Sequence, residues 1–352
     1  MQAVDLFSGS GGMSTGAVWG GLKIAYAVEL EPNAATTYRH NHPDTILIER
    51  DIRTVTADDM RGLNRAEPLI VFGGPPCQGF STSNQRTRGV INSNNWLFLE
   101  YARLVEELSP DWVLFENVKG MAETEGGVFL ESVIRRFKRL GLKVSYFVLN
   151  AAHYGVPQRR TRIFILGSRR GQELTIPKGD SSKLTSVSDA IDDLPELENG
   201  ANYGDLPYRT TPRSHYAESM RGQLSSSGNH LVTRNAGYVV ERYAYIPQGG
   251  NWEHIPQELM NNYANRSRCH TGIYYRLKQD EPSVVVGNYR KNMLIHPTQH
   301  RGLSVREAAR LQSFPDWYRF KGSIGFQQQQ VGNAVPPMLA KVIFDQVLAH
   351  SE

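Results

Sequence analysis

The sequence predicts an α/β protein with a mostly parallel sheet and a second, less regular domain. Residues 1–170 alternate between short apolar runs and segments with helical spacing, which is typical of a parallel sheet covered by helices on both faces. The alternation stops near Gly171, beyond which glycine, serine, proline and asparagine are scattered to about Gln299. Helical character then returns. Because 352 residues are many for a single core, we expect two domains.

The predicted strands of the first region are apolar runs that end at glycine, proline or charged residues. They cover residues 2–7, 23–29, 45–48, 68–72, 111–115, 143–149 and 162–166. The predicted helices between them cover residues 12–20, 32–41, 96–108 and 128–140. Pro32 occupies the first position of its helix, which the fixed φ of proline favours, and leucines recur at helical spacing from Leu97 to Leu108.

The region from residue 171 to residue 299 gives weaker signals. We expect short strands at 237–244 and 283–286 and no long helix. Beyond this region, Ser304 and Glu307 fit a capping box that begins a helix over 304–312. A last helix is predicted over 336–348, with proline near its start.

Composition limits the class of protein. Hydrophobic residues make up 40% and charged residues 21% of the chain, which is ordinary for a globular protein. No apolar run approaches the ~20 residues that cross a bilayer, and the first strand begins so early that we expect no signal peptide. Cys77 and Cys269, the two cysteines, give neither a disulfide framework nor metal-ligand spacing. We therefore expect a cytoplasmic protein without a bound metal.

The positive charge of the chain is concentrated in residues 201–300. This stretch holds 11 Lys+Arg against 7 Asp+Glu, which equals the net charge of +4 of the whole chain. It also holds 10 of the 16 tyrosines and 6 of the 10 histidines. Basic and aromatic side chains on irregular backbone suit a surface that contacts phosphates and bases. A loop-rich domain with a solvated face explains the same composition, and both interpretations stay open at this point.

The first predicted strand leads into a glycine-rich turn, DLFSGSGG at residues 5–12. Glycines at a strand-to-helix turn let the backbone approach a ligand at the helix N-terminus. The turn is neither a dinucleotide fingerprint nor a P-loop, because Ser14 replaces the third glycine and no lysine follows. Glu29, at the end of the second strand, is placed to accept the hydroxyls of a ribose. Asp51, after the third strand, is placed to reach an adenine amino group.

These features favour a nucleoside ligand without phosphates, and S-adenosylmethionine is the common cofactor of that kind. Its cationic sulfonium would be favoured beside an aromatic ring such as that of Phe7. The alternative is that Glu29 and Asp51 are surface acids at strand ends.

A second group of chemically distinctive residues includes Cys77. In VFGGPPCQGFS (residues 71–81) two glycines end a strand, and two prolines then force a rigid loop. Ligands of open α/β sheets bind just beyond strand ends, although a free cysteine is also commonly a small buried hydrophobe. Glu116 ends another strand of the sheet, where it is placed for acid–base work. Arg160 and Arg162 alternate as they enter the last strand, which predicts a shared clamp for an anion or a base edge.

The order of these motifs resembles that of the cytosine-C5 DNA methyltransferases. The matching segments are DLFSGSGG, the acid at Glu29, DI at 51–52, GGPPCQGFS, FENVKG, QRRTR, SVREAARLQSFP and QVGNAVPP. All of them in this order and at suitable spacing are highly specific. Residues 171–299 are only loosely similar, as expected for the variable target-recognition region of the family. A lone enzyme of this size resembles the modification methyltransferases of bacterial restriction–modification systems.

The resemblance implies a Rossmann-like S-adenosylmethionine-dependent methyltransferase sheet in residues 1–175, completed by 323–352, and a smaller, irregular target-recognition domain in 176–322. It also implies a mechanism for carbon 5 of cytosine, which is a poor nucleophile. The thiolate of Cys77 would add to carbon 6, and Glu116 would hydrogen-bond or protonate ring N3. Arg162 would hold the base carbonyl oxygen. Arg160 would support the site and a nearby phosphate.

Other site residues follow from the same resemblance. The expected cofactor-binding residues are Phe7, Gly9, Gly11, Gly12, Glu29, Leu30, Asp51, Ile52, Pro75, Leu97, Asn333 and Ala334. Leu30 stands where the family often carries an aromatic residue, so adenine stacking there would be weaker. Cytosine inside a duplex is out of reach, so the base would be flipped out, with Gln78 and Ser81 touching the DNA.

Two other functions remain open on the sequence. An RNA cytosine methyltransferase uses the same catalytic motifs, although the long region 201–300 favours duplex DNA. A catalytically inactive DNA-binding regulator is disfavoured because all four expected catalytic residues are present, namely Cys77, Glu116, Arg160 and Arg162. We therefore expect a monomer that binds double-stranded DNA and no membrane, with a cognate restriction endonuclease as a functional rather than a physical partner.

Overall fold

The computed structural model describes residues 1–76, 97–261, 272–287, 289 and 293–351. The chain forms two compact units. The first unit comprises Met1–Tyr154, Thr161–Gly179 and Val335–Glu352, and the second comprises Gly155–Arg160 and Asp180–Ala334. The chain therefore visits the second unit twice and returns to the first unit for its last helix.

A seven-stranded sheet forms the centre of the first unit. Its strands are β1 (Gln2–Leu6), β2 (Lys23–Val28), β3 (Ile46–Ile48), β4 (Leu69–Gly73), β5 (Trp112–Val118), β6 (Lys143–Asn150) and β7 (Thr161–Ser168). They are ordered β3-β2-β1-β4-β5-β7-β6. Strands β3, β2, β1, β4 and β5 are parallel to one another, whereas β7 runs antiparallel to β5 and β6. The mostly parallel Rossmann-like sheet predicted from the sequence is confirmed.

The carboxyl ends of the central strands lie in register at one edge of the sheet. Leu6 pairs with Val28 of β2 and with Gly73 of β4, and Gly73 pairs in turn with Phe115 of β5. A Cβ atom on Gly73 would lie 1.9 Å from the carbonyl oxygen of Leu6, so only glycine permits this close approach. The loops that follow β1, β2, β4 and β5 therefore leave the sheet from the same edge.

Eleven helices are described outside the short 3₁₀ turns. They are α1 (Gly12–Gly20), α2 (Pro32–Asn41), α3 (Leu97–Leu108), α4 (Gly120–Glu123), α5 (Val128–Arg139), α6 (Val187–Ile191), α7 (His215–Arg221), α8 (Gly237–Ala244), α9 (Val305–Leu311), α10 (Ile324–Asn333) and α11 (Pro337–Ala349). Helices α1–α5 and α11 belong to the first unit and α6–α10 to the second. Within the described part of the chain, no helix is both long enough and apolar enough to cross a membrane.

Helices pack on the sheet of the first unit from two sides. On one side, a Cβ atom on Gly16 of α1 would lie 2.4 Å from the carbonyl oxygen of Pro337, so a glycine lets α11 pack tightly on α1. Phe344 of α11 contacts Phe72 of β4 with ring centroids 4.9 Å apart. On the other side, the buried Tyr101 of α3 donates its hydroxyl to carbonyl oxygens of β4 and β5 at 3.2 and 3.0 Å. Alternate residues of β4 thus face two helical layers.

The second unit has little regular β-structure in its described residues. Two-residue strands form two antiparallel ladders, one joining Asn202–Tyr203 to His230–Leu231 and the other joining Leu206–Pro207 to Ser226–Ser227. Its helices α6–α9 have five to eight residues each. Elements this short bury little apolar surface, and other contacts must contribute to the order of the unit.

Buried ion pairs are a prominent part of the interior of the second unit. Arg310 is fully buried and bonds Asp316 at 2.6 and 2.7 Å and Asp193 at 3.1 and 3.2 Å. Arg301 forms a bidentate pair with Glu307 at 2.6 and 2.8 Å. Removing one partner of such a pair would leave an uncompensated buried charge, which is strongly destabilising.

The capping box predicted for the helix after residue 303 is confirmed. Glu307 N donates to Ser304 Oγ at 3.1 Å, and Ser304 N donates to Glu307 Oε2 at 2.7 Å. The side chain of each residue satisfies a backbone group of the other, which fixes the start of α9.

The strand predicted at 237–244 is wrong, because these residues form helix α8. Val239 and Tyr243 are four residues apart and both face the apolar core of the second unit, so the buried positions follow a helical period. The strand predicted at 283–286 is also absent. Ser283 makes only one isolated parallel bridge, to Gln158.

Candidate active site

The glycine-rich turn after β1 has the left-handed backbone that its sequence predicts. Gly9 and Gly11 have φ of 54° and 88°, and Phe7 also has a positive φ of 64°. A positive φ is unfavourable for a bulky aromatic residue and is held only where the surroundings require it. Gly12 begins α1 directly after the turn. The turn therefore presents backbone groups of residues 7–12 at the sheet edge where ligands of such folds bind.

Glu29 is bonded to this turn. Its Oε2 accepts a hydrogen bond from Gly9 N at 2.7 Å, and its Oε1 accepts from Leu30 N and Glu31 N at 3.0 and 2.7 Å. Burial raises the pKa of Glu29, while the three backbone donors act in the opposite direction. Leu30 beside it is 62% exposed. The carboxylate predicted to bind a ribose thus lies against the glycine-rich turn, with an exposed apolar side chain next to it.

Asp51 and its neighbours form the next part of this sheet edge. Asp51 caps the 3₁₀ turn Ile52–Thr54, and both of its carboxylate oxygens accept hydrogen bonds from Arg53. These bonds lower the pKa of Asp51 to about 2. Ile52 is buried in the core of the first unit, and Leu97 packs against the same core. The pairing of Asp51 with Arg53 was not predicted. The signal for it was an acidic and a basic residue two positions apart, just after a predicted strand.

A buried polar group beneath the glycine-rich turn was also missed. Asp5 is fully buried near the end of β1, and Ser14 of α1 donates to its Oδ2 at 2.6 Å. The Ser14 hydroxyl also lies 2.7 Å from that of Tyr38. Burial raises the pKa of Asp5 well above its usual range, and the hydrogen bond from Ser14 opposes this effect. A carboxyl inside an otherwise apolar strand was the signal that would have found it.

The chemistry-bearing end of the site is formed by the ends of β4, β5 and β7. Glu116 of β5 and Arg162 of β7 form an ion pair, with Arg162 Nε 3.1 Å from Glu116 Oε1. Gly74 after β4 lies so close that a Cβ atom on it would be 2.6 Å from Glu116 Oε2. Asn117 Nδ2 donates to the carbonyl oxygen of Pro75 at 3.1 Å. The structure therefore brings Pro75, Glu116 and Arg162 together.

Arg160 and Arg162 contact different groups of the protein. Arg160 is 1% exposed and belongs to the second unit, where its Nη1 and Nη2 donate to the carbonyl oxygens of Gly332 and Asn333 at 3.0 and 3.3 Å. Arg162 belongs to the first unit and pairs with Glu116. The two guanidinium groups thus have different partners within the protein, and their shared clamp for an anion or a base edge stays a prediction.

The remaining predicted site residues fall into two groups. Asn333 ends α10 and is exposed, and Ala334 follows it as the C-cap. Cys77, Gln78 and Ser81 lie outside the described residues, as does Cys269. The described chain reaches Pro76, one residue before the predicted nucleophile.

Comparison with known proteins gives a family match over nearly the whole chain. The family described as C-5 cytosine-specific DNA methylase matches residues 1–349. The chain is 37% identical over 348 residues to the Type II methyltransferase M1.HphI of Haemophilus parahaemolyticus, covering 98% of this chain and 86% of the relative. It is 34% identical over 370 residues to the Type II methyltransferase M.DdeI of Desulfomicrobium norvegicum, covering 99% and 88%.

Solved structures show the same fold. A crystal structure described as that of a prophage-encoded DNA modification methyltransferase of E. coli superimposes with a TM-score of 0.80 at 26% identity, covering 99% of both chains. The Dnmt2 methyltransferase of S. pombe superimposes with a TM-score of 0.60 at 16% identity, covering 99% of this chain and 98% of that one. The second likeness concerns the fold alone.

Proposed function

Because the chain belongs to the C-5 cytosine-specific DNA methylases and is a DNA (cytosine-5-)-methyltransferase, we propose that it methylates one cytosine of a specific duplex sequence with S-adenosylmethionine. We further propose that the target base is flipped out of the duplex and that Cys77 forms a transient covalent bond to it. The observation that carries the proposal is the buried Glu116–Arg162 pair, which lies beside Gly74 of the sequence motif that contains Cys77.

The chemistry of the proposed reaction follows from the needs of the cytosine ring. The thiolate of Cys77 adds to carbon 6, and Glu116 donates a hydrogen bond or a proton to ring N3, so that electrons of the 5,6 double bond become available at carbon 5. Arg162 holds the carbonyl oxygen on which negative charge develops. When bound, S-adenosylmethionine supplies an electrophilic methyl group. Carbon 5 then loses its proton to a base, the 5,6 double bond forms again, and Cys77 leaves as a thiolate.

The glycine-rich turn and the loops beside it fit S-adenosylmethionine. We assign Glu29 to the ribose, because backbone donors fix its carboxylate in one orientation and still leave lone pairs for hydroxyl groups. Phe7 is assigned to the sulfonium side and Leu30 to the adenine. Asp51 is assigned to the adenine amino group. Its carboxylate would accept a hydrogen bond from that group in addition to the hydrogen bonds from Arg53. The remaining assigned residues are Gly9, Gly11, Gly12, Ile52, Pro75, Leu97, Asn333 and Ala334.

Different parts of the chain are assigned different tasks. We assign residues 1–175, completed by 323–352, to catalysis and cofactor binding and residues 176–322 to recognition of the target sequence, with Gln78 and Ser81 contacting the DNA at the flipped base. Base flipping costs a few kcal/mol, which contacts with the DNA must offset. We propose that the methylation protects host DNA from a cognate restriction endonuclease, because the relatives are Type II methyltransferases. Such an enzyme acts where that DNA lies, in the bacterial cytoplasm.

A labelling experiment tests the proposed activity. The protein is incubated with S-adenosylmethionine carrying a labelled methyl group and with duplex DNA, RNA or neither. We expect label in DNA alone; label in RNA alone or in neither would contradict the proposal. Bisulfite sequencing of DNA from a host that expresses the chain then identifies the methylated cytosine and its surrounding sequence.

A mechanism-based trap tests the covalent step. When carbon 5 carries fluorine, the proton that must leave is missing, so we expect duplex DNA with 5-fluorocytosine at the target to remain joined to the protein. The complex is detected as a band that survives denaturing electrophoresis. The same duplex with unmodified cytosine is the control, and release of both substrates would rule out the covalent intermediate.

A further inference from the structure

The C-terminal end of helix α10 is held in an uncommon way. A helix leaves its last four carbonyl oxygens without partners inside the helix. Here Pro336 and Pro337 follow closely and have no backbone N–H to offer. The carbonyl oxygens of residues 331–334, which we call the carbonyl turn, instead accept hydrogen bonds from side chains that are distant in sequence.

Two buried side chains supply these donors. Arg160 donates to the middle two carbonyl oxygens, as described above, and a cation at this position also interacts favourably with the helix dipole. Gln312 has no exposed surface, and its Nε2 donates to the carbonyl oxygens of Val331 and Ala334 at 2.8 and 3.4 Å. The four carbonyls of the carbonyl turn are therefore satisfied by one arginine and one glutamine.

Gln158 holds Gln312 in the orientation that this requires. Its Nε2 donates to Gln312 Oε1 at 3.0 Å and to the carbonyl oxygen of Leu311 at 3.1 Å. Its Oε1 accepts a hydrogen bond from Val286 N at 3.0 Å. Because Gln312 Oε1 accepts from Gln158, the amide of Gln312 must turn its NH₂ group towards the carbonyl turn. Gln158 is itself fully buried, so it cannot exchange these partners for water.

Gly332 lets a second chain segment support the carbonyl turn from another direction. A Cβ atom at this position would lie 1.9 Å from the carbonyl oxygen of Gly287 and 3.2 Å from that of Val286. Backbone atoms cannot yield to such a contact as a flexible side chain can. The carbonyl turn is thus contacted by side chains of residues 160 and 312 and by the backbone of residues 286 and 287, and Gln158 bonds both Gln312 and Val286.

We propose that Gln158 and Gln312 are positioning residues for cofactor binding, and that Arg160 acts with them through the carbonyl turn rather than on a phosphate of the DNA. The inference rests on the proposed assignment of Asn333 and Ala334 to the cofactor. A turn held by four hydrogen bonds presents these two residues in one conformation, so binding does not have to order them. Loosening the turn is expected to weaken cofactor binding while leaving the reacting groups Glu116 and Arg162 unchanged.

The test compares two buried glutamines of the second unit. Gln312→Met keeps the side-chain volume and removes both donors to the carbonyl turn. Gln328→Met is the matched control, because Gln328 is also buried, lies on α10 and donates to Thr233 Oγ1 instead. Calorimetric titration with S-adenosylhomocysteine gives the dissociation constant of each variant, and thermal unfolding without ligand gives its stability. We expect Gln312→Met to raise the dissociation constant about tenfold and to keep kcat at saturating S-adenosylmethionine within about threefold of the wild type. We expect Gln328→Met to change neither the dissociation constant nor kcat.

Gly332→Ala provides a second, independent variant. Alanine favours a helix more than glycine does, so weaker cofactor binding in this variant reports displacement of the turn and not loss of helix propensity. We expect a dissociation constant at least about tenfold higher. The inference is overturned if Gln312→Met and Gly332→Ala bind S-adenosylhomocysteine as the wild type does, or if Gln328→Met weakens binding equally. Glu29→Ala separates this outcome from failure of the proposed cofactor site. Normal binding by Glu29→Ala removes the ribose assignment, whereas weak binding by Glu29→Ala with normal binding by both Gln312→Met and Gly332→Ala refutes only the positioning role.

Discussion

Arg162 Nε lies 3.1 Å from Glu116 Oε1, where strand β5 ends beside the start of the antiparallel strand β7. Arg162 pairs with Val118, two residues beyond Glu116, so the two side chains leave the sheet on the same face. Both are largely buried, with 14% and 11% of their side-chain surface exposed. Burial lowers the pKa of Arg162 and the carboxylate opposes this effect. A buried carboxylate and guanidinium are therefore available together at one strand end.

The role of this pair is tested by Glu116→Gln. The amide has the same shape but cannot give a proton to ring N3, so we expect kcat to fall roughly 10²- to 10⁴-fold. Cofactor affinity should not change, because Glu116 is not assigned to the cofactor. Steady-state kinetics and calorimetry measure the two quantities. Glu106→Gln is the control, since Glu106 pairs with Arg136 on the exposed surface. A kcat within threefold of the wild type would contradict the role of Glu116.

The role of Glu29 is tested by its replacement with alanine. The change removes the ribose acceptor and also frees Gly9 N, which the carboxylate holds at 2.7 Å. We expect the dissociation constant for S-adenosylhomocysteine to rise roughly 10- to 100-fold, and that for duplex DNA to change little. Asp51→Ala should have a smaller effect, because Arg53 occupies both oxygens of Asp51. Unchanged cofactor affinity in Glu29→Ala would remove the ribose assignment.

The two cysteines allow a matched test of the nucleophile. Cys77→Ala is expected to abolish methyl transfer, because no other group is assigned to attack carbon 6, while duplex binding in a gel-shift assay remains. Cys269→Ala removes the other thiol of the chain and should leave turnover unchanged. Methyl transfer by Cys77→Ala at a rate near that of the wild type would refute covalent catalysis by this residue.

The sheet and its edge were predictable because their signals are local. The glycine-rich turn, the acid at Glu29 and the capping box of Ser304 depend on a few neighbouring residues, and the structure contains each of them. Glu116 and Arg162 lie together because β5 ends at the edge where the antiparallel strand β7 begins, whereas the resemblance gave only their roles on the target base.

Features that depend on distant segments were not predictable in the same way. The side chain of Arg160 alternates correctly with that of Arg162, but its partners are the carbonyl oxygens of residues 332 and 333, far along the chain. Helix α8 was mistaken for a strand because the core that Val239 and Tyr243 contact is formed with distant residues such as Tyr274 and Ile295. Tertiary contacts decided both cases.

His296 gives the second unit a dependence on pH. The ring is almost buried, and its Nδ1 accepts hydrogen bonds from Thr298 N and Gln299 N, both at 3.2 Å. Burial lowers the pKa of His296 to about 4; Arg301, Arg276 and Arg209 act in the same direction and Glu307 in the opposite one. The folded protein therefore prefers the neutral ring, whereas the unfolded chain takes up a proton near pH 6.5.

A histidine with a lowered pKa contributes stability that is present above pH 6.5 and is lost as the pH falls towards about 4. We therefore expect the free energy of unfolding, measured by urea titration, to decrease between pH 6.5 and pH 4. His296→Asn keeps an acceptor for the two backbone N–H groups but does not titrate. The free energy of unfolding of this variant should therefore fall less steeply between pH 6.5 and pH 4, by about 1.4 kcal/mol per pH unit. His215→Asn is the control, because the side chain of His215 is 94% exposed, and its pH dependence should match that of the wild type. Equal pH dependence of His296→Asn and the wild type would show that His296 is not buried in its neutral form.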